Sequence, residues 1–123
     1  MAFLVATLVA RLVRIRRVAV HGESMLPALA PGDRLVVVPA WRLGPGDVVA
    51  LRDPRAPRHV LIKRVVDVDR ALGLVSVAGD NRAVSTDSRL FGPVPRRAVL
   101  GRAAYRYGPP GREGWVARRF PRG

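Results

Sequence analysis

Short β-branched runs, each closed by a turn signal, recur along most of this 123-residue chain. The runs are "VAV" at 18–20, "RLVVV" at 34–38, "DVVALR" at 47–52, "VLIKRVVDV" at 60–68, "LVSVA" at 74–78 and "VLGRAAYRY" at 99–107. The breakers between them include "PGD", "GPGD" and "AGDN", which are typical of tight turns between strands. The pattern therefore predicts a mainly β fold, a compact antiparallel domain with a single hydrophobic core.

The two ends of the chain depart from this pattern. Residues 1–17, "MAFLVATLVARLVRIRR", are an apolar run interrupted at Arg11 and closed by a basic cluster. This run is shorter than the roughly 20 residues that a bilayer span needs, so we expect a short N-terminal helix on a membrane surface or on the protein's own apolar groove. Residues 18–107 would then be the folded domain. Residues 108–123, rich in Pro, Gly and Arg, would be a loosely held tail whose Trp115 and Phe120 touch the body. The inward face of the helix would comprise Phe3, Leu4, Leu8 and Leu12.

Composition excludes several kinds of site. The chain has no cysteine, which rules out a thiol nucleophile, a disulfide and cysteine-based zinc sites. Its two histidines are far apart and no metal-ligand spacing is present, so we expect no metal and no cofactor. The net charge of +13 is spread along the whole chain without a helix-turn-helix or aromatic stacking motif, so we expect no specific nucleic-acid partner. A non-enzymatic basic module that binds nucleic acid or membrane stays an alternative.

The only lysine, Lys63, lies in the apolar run "HVLIKRVV" of a chain that otherwise uses 21 arginines. Arginine stays protonated at any ordinary pH, whereas a lysine in apolar surroundings can lose its proton and act as a base. Strand alternation would place Leu61, Lys63 and Val65 on one face, and Ile62, Arg64 and Val66 on the other. The alternative is an edge-strand lysine with its amine in water.

Serine is the candidate nucleophile for such a base. Ser24, in "HGESMLPAL", would project from a proline-stiffened turn, while Ser85 lies in "GDNRAVSTDSRLFG". A turn or helix N-cap role is the alternative for Ser24. Neither His21 nor His59 has a carboxylate nearby in sequence to orient it as a base. We interpret Asp80 and Asn81 as turn residues.

Four of these segments occur in a recognisable order. "ESMLPAL" followed by "PGD", then "IKRV", "GDNRAVSTDSRLFGPVP" and "LGRA", resemble the boxes of the type I signal peptidase family between about residues 22 and 103. The resemblance implies a serine endopeptidase with a Ser/Lys dyad on a β-rich fold. It implies Ser24 as nucleophile, Lys63 as general base and Ser85 as the hydroxyl that orients the amine. The supporting ion pair would be Asp87 with Arg89.

Two details of the resemblance bear on the groove. Many family members have a serine two positions before the nucleophile as an oxyanion-hole donor, but this chain has Gly22. The backbone N–H of Ser24 would then be the main donor, and the second donor stays open. Met25 and Pro27 would shape the substrate groove, although packing explains them equally well.

Substrate and location are further expectations from the same comparison. The short arginine-rich form with "STDSRLFG" is most similar to the maturation proteases of nickel-type superoxide dismutase, so we expect a polypeptide partner carrying an N-terminal propeptide. General processing of exported signal peptides is the alternative. The arginines of the N-terminal segment lie on the domain side of the apolar run, which favours a cytoplasmic domain, peripherally bound or lightly anchored to the inner face of the membrane. These arginines are Arg11, Arg14, Arg16 and Arg17.

Overall fold

A single sheet of eight antiparallel strands makes up most of the protein, and the computed structural model describes residues 14–119. The strands are β1 (Arg16–Ala19), β2 (Arg34–Val38), β3 (Val48–Asp53), β4 (Ala56–Asp69), β5 (Leu74–Ala78), β6 (Val94–Pro95), β7 (Val99–Gly108) and β8 (Gly114–Trp115). Within the described residues one short helix, α1 (Ser88–Phe91), follows β5, and a 3₁₀ turn (Arg96–Ala98) precedes β7. The predicted mainly β, antiparallel fold is confirmed.

The strand order in the sheet is β1-β2-β7-β3-β4-β5-β6, and β8 pairs with the far end of β7. Five of the six predicted runs match strands closely, while the fourth begins earlier than expected, at Ala56. Two strands were not predicted, β6 and β8, and each has only two residues. Such short strands carry too few side chains to show a hydrophobic period.

Two hydrophobic clusters cover the two faces of the sheet. The alternation of β3 shows this directly, because Val48 and Ala50 pack into the first cluster and Val49 and Leu51 into the second. A central strand buried on both faces is expected to read as a continuous apolar run, as "VVAL" does. The first cluster also contains Val20, Met25 and Leu29, so it lies beneath the turn that carries Ser24.

Strand β4 carries Lys63, and its two halves have different neighbours. Residues 56–64 pair with β3, and only residues 64–69 pair with β5. The predicted alternation agrees with the packing of Leu61 in the second cluster and Ile62 in the first. It ends at a register shift between Val65 and Asp67, where Val66 is exposed.

Both ends of the described chain differ from the expectations. The predicted N-terminal helix falls largely on residues 1–13, which lie outside the described residues, and β1 already begins at Arg16. No helix within residues 14–119 is long and apolar enough to cross a membrane. The expected contact of Trp115 with the body is present, since Trp115 packs edge-on against Tyr105 at 5.0 Å. Residues 108–119 are held more firmly than a loose tail, because β8 pairs with β7. Phe120 lies outside the described residues.

Candidate active site

Ser24 lies on a tight turn between β1 and β2. The turn is closed by backbone hydrogen bonds from Leu26 N to Glu23 O (3.2 Å) and from Leu29 N to Met25 O (2.9 Å). Gly22, two residues before Ser24, has a φ of +75°, a conformation that favours glycine. The side chain of Met25 is buried beneath the turn, so the turn rests on the core while Ser24 stays half-exposed.

Lys63 is buried, with only 3% of the residue exposed, opposite Val49 of β3. Its Nζ donates a hydrogen bond to Ser85 Oγ at 3.0 Å. Burial lowers the pKa of the lysine below its ordinary value of 10.5, and the opposing attraction of the Asp87 carboxylate does not cancel this effect. No carboxylate within residues 14–119 forms an ion pair with this ammonium.

The hydroxyl of Ser85 uses its full hydrogen-bonding capacity. It donates to Asp87 Oδ2 (2.8 Å) and accepts from the backbone N–H of Gly79 (3.1 Å) and from Lys63 Nζ. A hydroxyl has one hydrogen to donate and two lone pairs. Because the Ser85 hydrogen is committed to Asp87, Lys63 must be the donor in their bond. The lone pair of a neutral Lys63 amine therefore points away from Ser85.

Asp87 is fully buried and fixes this arrangement. Burial by itself raises the pKa of this carboxyl, but the hydrogen bonds from Arg89, Gly79 N and Ser85 outweigh burial and hold the pKa well below the usual range. The Arg89 guanidinium contacts the carboxylate at 3.0 Å, and the carboxylate caps α1 by accepting from Arg89 N at 3.1 Å. The structure thus brings the predicted pair of Asp87 and Arg89 together beside Ser85.

Gly79 and Asn81 join the Ser24 turn to this network, a role that the sequence analysis did not anticipate. Asn81 N donates to Ser24 O at 2.8 Å, and Asn81 Nδ2 donates to Glu23 O at 3.2 Å. A Cβ at position 79 would lie 2.7 Å from Ser24 O and would overlap the Ser85 hydroxyl. Glycine is required here because two segments approach its α-carbon, and nothing in "AGDN" except its turn character signalled that.

Asp80, which was interpreted as a turn residue, forms a buried ion pair. Both of its carboxylate oxygens accept from Arg64, from Nε and Nη2, at 2.8 Å each. Arg64 Nη1 also donates to Gly46 O (2.8 Å) and to Ala117 O (2.9 Å). The pair holds the strand that carries Lys63 against the turn after β5.

An open groove of about 640 Å³ contains both Ser24 and Lys63 in its wall. Its remaining lining comes from β1, from the first half of β4 and from the start of the Ser24 turn: Arg17, Val18, Ala19, His21, Arg58, His59, Val60, Leu61 and Ile62. Met25 and Pro27 are not among the lining residues. Met25 belongs to the core and Pro27 faces solvent, so their positions do not support the predicted role in shaping the groove.

The two histidines both line the groove, yet neither hydrogen-bonds a carboxylate within residues 14–119. They therefore lack the orienting group that a histidine base needs. In the same part of the chain no three His, Asp or Glu side chains are grouped so that they could hold a metal ion. The acid–base candidate that the geometry supports is the amine of Lys63.

Comparison with known proteins gives an independent result. A family model described as "Signal peptidase, peptidase S26" matches residues 1–69 and 71–108. The chain is 37% identical to the mitochondrial ATP-independent inner membrane protease subunit 1a of Arabidopsis thaliana, over 74% of this chain and 69% of that protein. It is 31% identical to mitochondrial inner membrane protease subunit 2 of Danio rerio, over 86% and 70% of the two chains. With the mouse subunit 2 the identity is 35%, over 76% and 67%.

Proposed function

The chain belongs to the signal peptidase family, peptidase S26, and on this basis we propose that it removes an N-terminal extension from a polypeptide through a Ser24/Lys63 dyad. Membership of the family makes the chain a protease of the signal peptidase type. The observation that carries the dyad is the state of Lys63. It is a buried amine with a lowered pKa and a neutral hydrogen-bond acceptor, in the wall of the same groove as Ser24.

The chemistry proposed for the dyad rests on Ser24 and Lys63 lining the same groove. Ser24 Oγ attacks the scissile carbonyl carbon while the neutral Lys63 Nζ takes the hydroxyl proton. The resulting ammonium gives this proton to the leaving amine nitrogen. Water then attacks the acyl ester, with the same amine as base, and frees Ser24. Ser85 acts as a positioning residue, because its bond to Asp87 fixes where the Lys63 nitrogen lies.

The oxyanion that forms during attack needs hydrogen-bond donors. Within residues 14–119 the backbone N–H of Ser24 donates to no backbone carbonyl, so this group supports the proposed oxyanion hole. Gly22 contributes no side-chain donor. A second donor to the oxyanion would have to come from a water molecule or from the substrate itself.

The groove suits an extended peptide. Its two long walls are β1 and the first half of β4, and the β4 residues 56–63 pair on one edge only, with β3. A peptide that adds beside such an edge gains main-chain hydrogen bonds, with side-chain pockets supplying selectivity. The groove is lined in part by Val18, Ala19 and Ile62. These apolar walls favour small apolar side chains in the substrate near the scissile bond.

The substrate is the finer part of the proposal. The resemblance noted in the sequence suggests the precursor of a nickel-type superoxide dismutase, with exported signal peptides as the alternative. The relatives reported above are named as mitochondrial inner membrane proteases, and those names lend no support to the superoxide dismutase precursor. We also propose a cytoplasmic domain near the membrane, supported by Arg14, Arg16 and Arg17 directly after the apolar run.

Two experiments test these proposals. Purified protein is incubated with a propeptide-bearing precursor and with an exported precursor, and the new N-termini are sequenced. Ser24→Ala must abolish cleavage, while Ser76→Ala, a serine of β5 outside the site, must cleave as the wild type does. Cleavage by the Ser24→Ala variant would contradict the proposed serine mechanism. Protease digestion of intact against lysed cells tests location, and digestion in intact cells would contradict a cytoplasmic domain.

A further inference from the structure

Two turns of the same sequence stand on either side of β2. Pro31-Gly32-Asp33 precedes β2, and Pro45-Gly46-Asp47 precedes β3. In each turn the aspartate Oδ2 accepts from the backbone N–H three residues earlier, Ala30 N at 2.9 Å and Gly44 N at 3.0 Å. Both carboxylates are nearly completely buried, with 1% and 3% of the side chain exposed.

Each turn is bonded through its backbone to one of the two catalytic segments. Asp33 O accepts from Val20 N (2.8 Å), just before the Ser24 turn, and Val20 O accepts from Gly32 N (2.9 Å). Asp47 O accepts from Val65 N (2.7 Å), two residues after Lys63, and Val65 O accepts from Gly46 N (2.8 Å). The first turn is therefore a support for Ser24, and the second is a support for Lys63.

One C-terminal segment, residues 112–118, is attached to both turns. Arg112 Nε donates to Asp33 Oδ1 at 2.7 Å, and Arg118 Nε donates to Asp47 Oδ1 at 2.8 Å. Between these points Ala117 O accepts from Arg64, the neighbour of Lys63. The backbone of the segment also lies so close that a Cβ at Gly46, whose φ is +96°, would be 2.7 Å from Arg118 O.

We propose that residues 112–118 form a clasp that fixes the Ser24 turn and the Lys63 strand relative to each other. This segment is then a positioning element of the proposed dyad, although none of its residues lines the groove. The inference rests on the proposed function. Its physical basis is that the buried Asp47 has Arg118 as its ion-pair partner, while the buried Asp33 has Arg112 together with Arg106. A buried carboxylate that loses a partner is less well compensated and tends to take up water or a proton. Release of the clasp would hydrate the second turn and the adjoining part of β4.

The single lysine makes the environment of the dyad directly measurable. Selective ¹³C labelling of lysine gives one side-chain signal in this chain, because Lys63 is the only lysine. Its titration by NMR is followed in the wild type, in Arg118→Ala, in Arg112→Ala and in the double variant. Arg119→Ala is the matched control, since it removes the same charge from an exposed neighbour that makes none of the clasp contacts.

We expect the lysine titration midpoint to move up toward that of a free lysine in the clasp variants and to stay unchanged in Arg119→Ala. Peptide cleavage measured on the same proteins should show a fall in kcat of about tenfold to 10²-fold with KM nearly constant, because a small misplacement of reacting groups slows chemistry without weakening binding. Arg118→Lys, which keeps the charge, should recover part of kcat.

Circular dichroism and denaturant unfolding establish the folded fraction of each variant. A lysine midpoint unchanged in folded Arg118→Ala and Arg112→Ala overturns the clasp, as does a loss of rate that merely follows the unfolded fraction. Failure of the proposed function looks different. A wild-type chain that cleaves no peptide contradicts the protease assignment, while the lysine titration still decides whether the clasp sets the environment of Lys63.

Discussion

Lys63 and Arg64 are adjacent buried cations on β4 with opposite surroundings. Arg64, with 2% of its side chain exposed, binds both oxygens of Asp80 and two backbone carbonyls. Lys63, with 3% of the residue exposed, has the neutral hydroxyl of Ser85 as its only hydrogen-bond partner among residues 14–119. A buried cation that is fully paired stays charged, whereas a buried amine facing a neutral acceptor is pushed to release its proton.

The difference separates two tasks that one strand performs. Arg64 ties β4 to the turn after β5 and to the C-terminal segment, and this role is structural. Lys63 points to the other face, where burial lowers the pKa of its amine and suits it to the proposed role as a base. The chain's choice of arginine for one position and lysine for the next follows from this, because a guanidinium cannot be deprotonated in a protein and an ammonium can. The predictions below remove parts of this contrast in turn.

Lys63→Arg removes the contrast completely and should have the largest effect. The variant keeps the charge but cannot act as a base, so peptide cleavage should fall by about 10³-fold or more. Initial rates are measured by chromatography of the cleaved peptide. Lys63→Met, which keeps the apolar stem without a charge, should be equally inactive, and circular dichroism of both variants checks that they are folded. Normal cleavage by the arginine variant would contradict the proposed Ser24/Lys63 dyad.

Asp80→Asn changes the surroundings of the other cation, because it leaves Arg64 buried without the carboxylate that pairs with it. Removing one partner of a buried ion pair typically costs about 3–5 kcal/mol, and we expect a loss of this size in the free energy of unfolding. Urea unfolding measures it. Asp67 is an exposed aspartate of β4, the strand that carries Arg64. The control variant Asp67→Asn should therefore keep its free energy of unfolding within about 0.5 kcal/mol of the wild type. Equal effects of both variants would contradict the anchoring role of Arg64.

Ser85→Ala sharpens the contrast, because it leaves Lys63 buried and removes the one hydrogen-bond acceptor that the described part of the chain offers it. The amine loses its position but keeps its chemistry, so cleavage should fall by about 10- to 100-fold, less than for Lys63→Arg. Ser85→Thr keeps the hydroxyl and should recover part of the rate. A loss as large as that of Lys63→Arg would assign Ser85 a direct part in the reaction.

A smaller effect is expected in the dependence of stability and cleavage rate on pH. The folded-state pKa of Lys63 is below its ordinary value, so the unfolded chain binds more protons between these two pKa values and stability should rise with pH there. The slope is at most about 1.4 kcal/mol per pH unit. The rate should rise through the lower of the two pKa values, since the neutral amine is the proposed base. Lys63→Met should lose this rise in stability, which denaturant unfolding at several pH values would reveal.

Acid should act through a different group. Contact with Arg112 lowers the pKa of Asp33 to about 2, although burial opposes this. The stabilisation from this pair is therefore present above the ordinary aspartate pKa of about 3.8 and is lost as the pH falls toward 2. Asp33→Asn should remove this part of the acid sensitivity in unfolding curves measured between neutral pH and pH 2, and an unchanged acid profile would contradict the assignment.

The predictability of the molecule from its sequence depends on how local each signal is. The strands follow from short-range alternation and turn residues, and the burial of Lys63 follows from its apolar neighbours. The bond from Lys63 to Ser85 joins residues 22 apart, so only the resemblance suggested it. The contacts of Arg112 and Arg118 span 79 and 71 residues, and among 21 arginines nothing in the sequence marks these two.

The burial of Met25 has a consequence for the durability of the site. Its thioether lies directly after Ser24 in the chain but is shielded by the core, with 1% of the residue exposed. The groups proposed for catalysis are a hydroxyl and an amine, and the chain contains no thiol. Peroxide attacks thiolates and accessible thioethers, so it finds no target among the residues of the described range 14–119 that line the groove. Peptide cleavage by this protein should therefore continue under oxidising conditions that inactivate cysteine-dependent proteases.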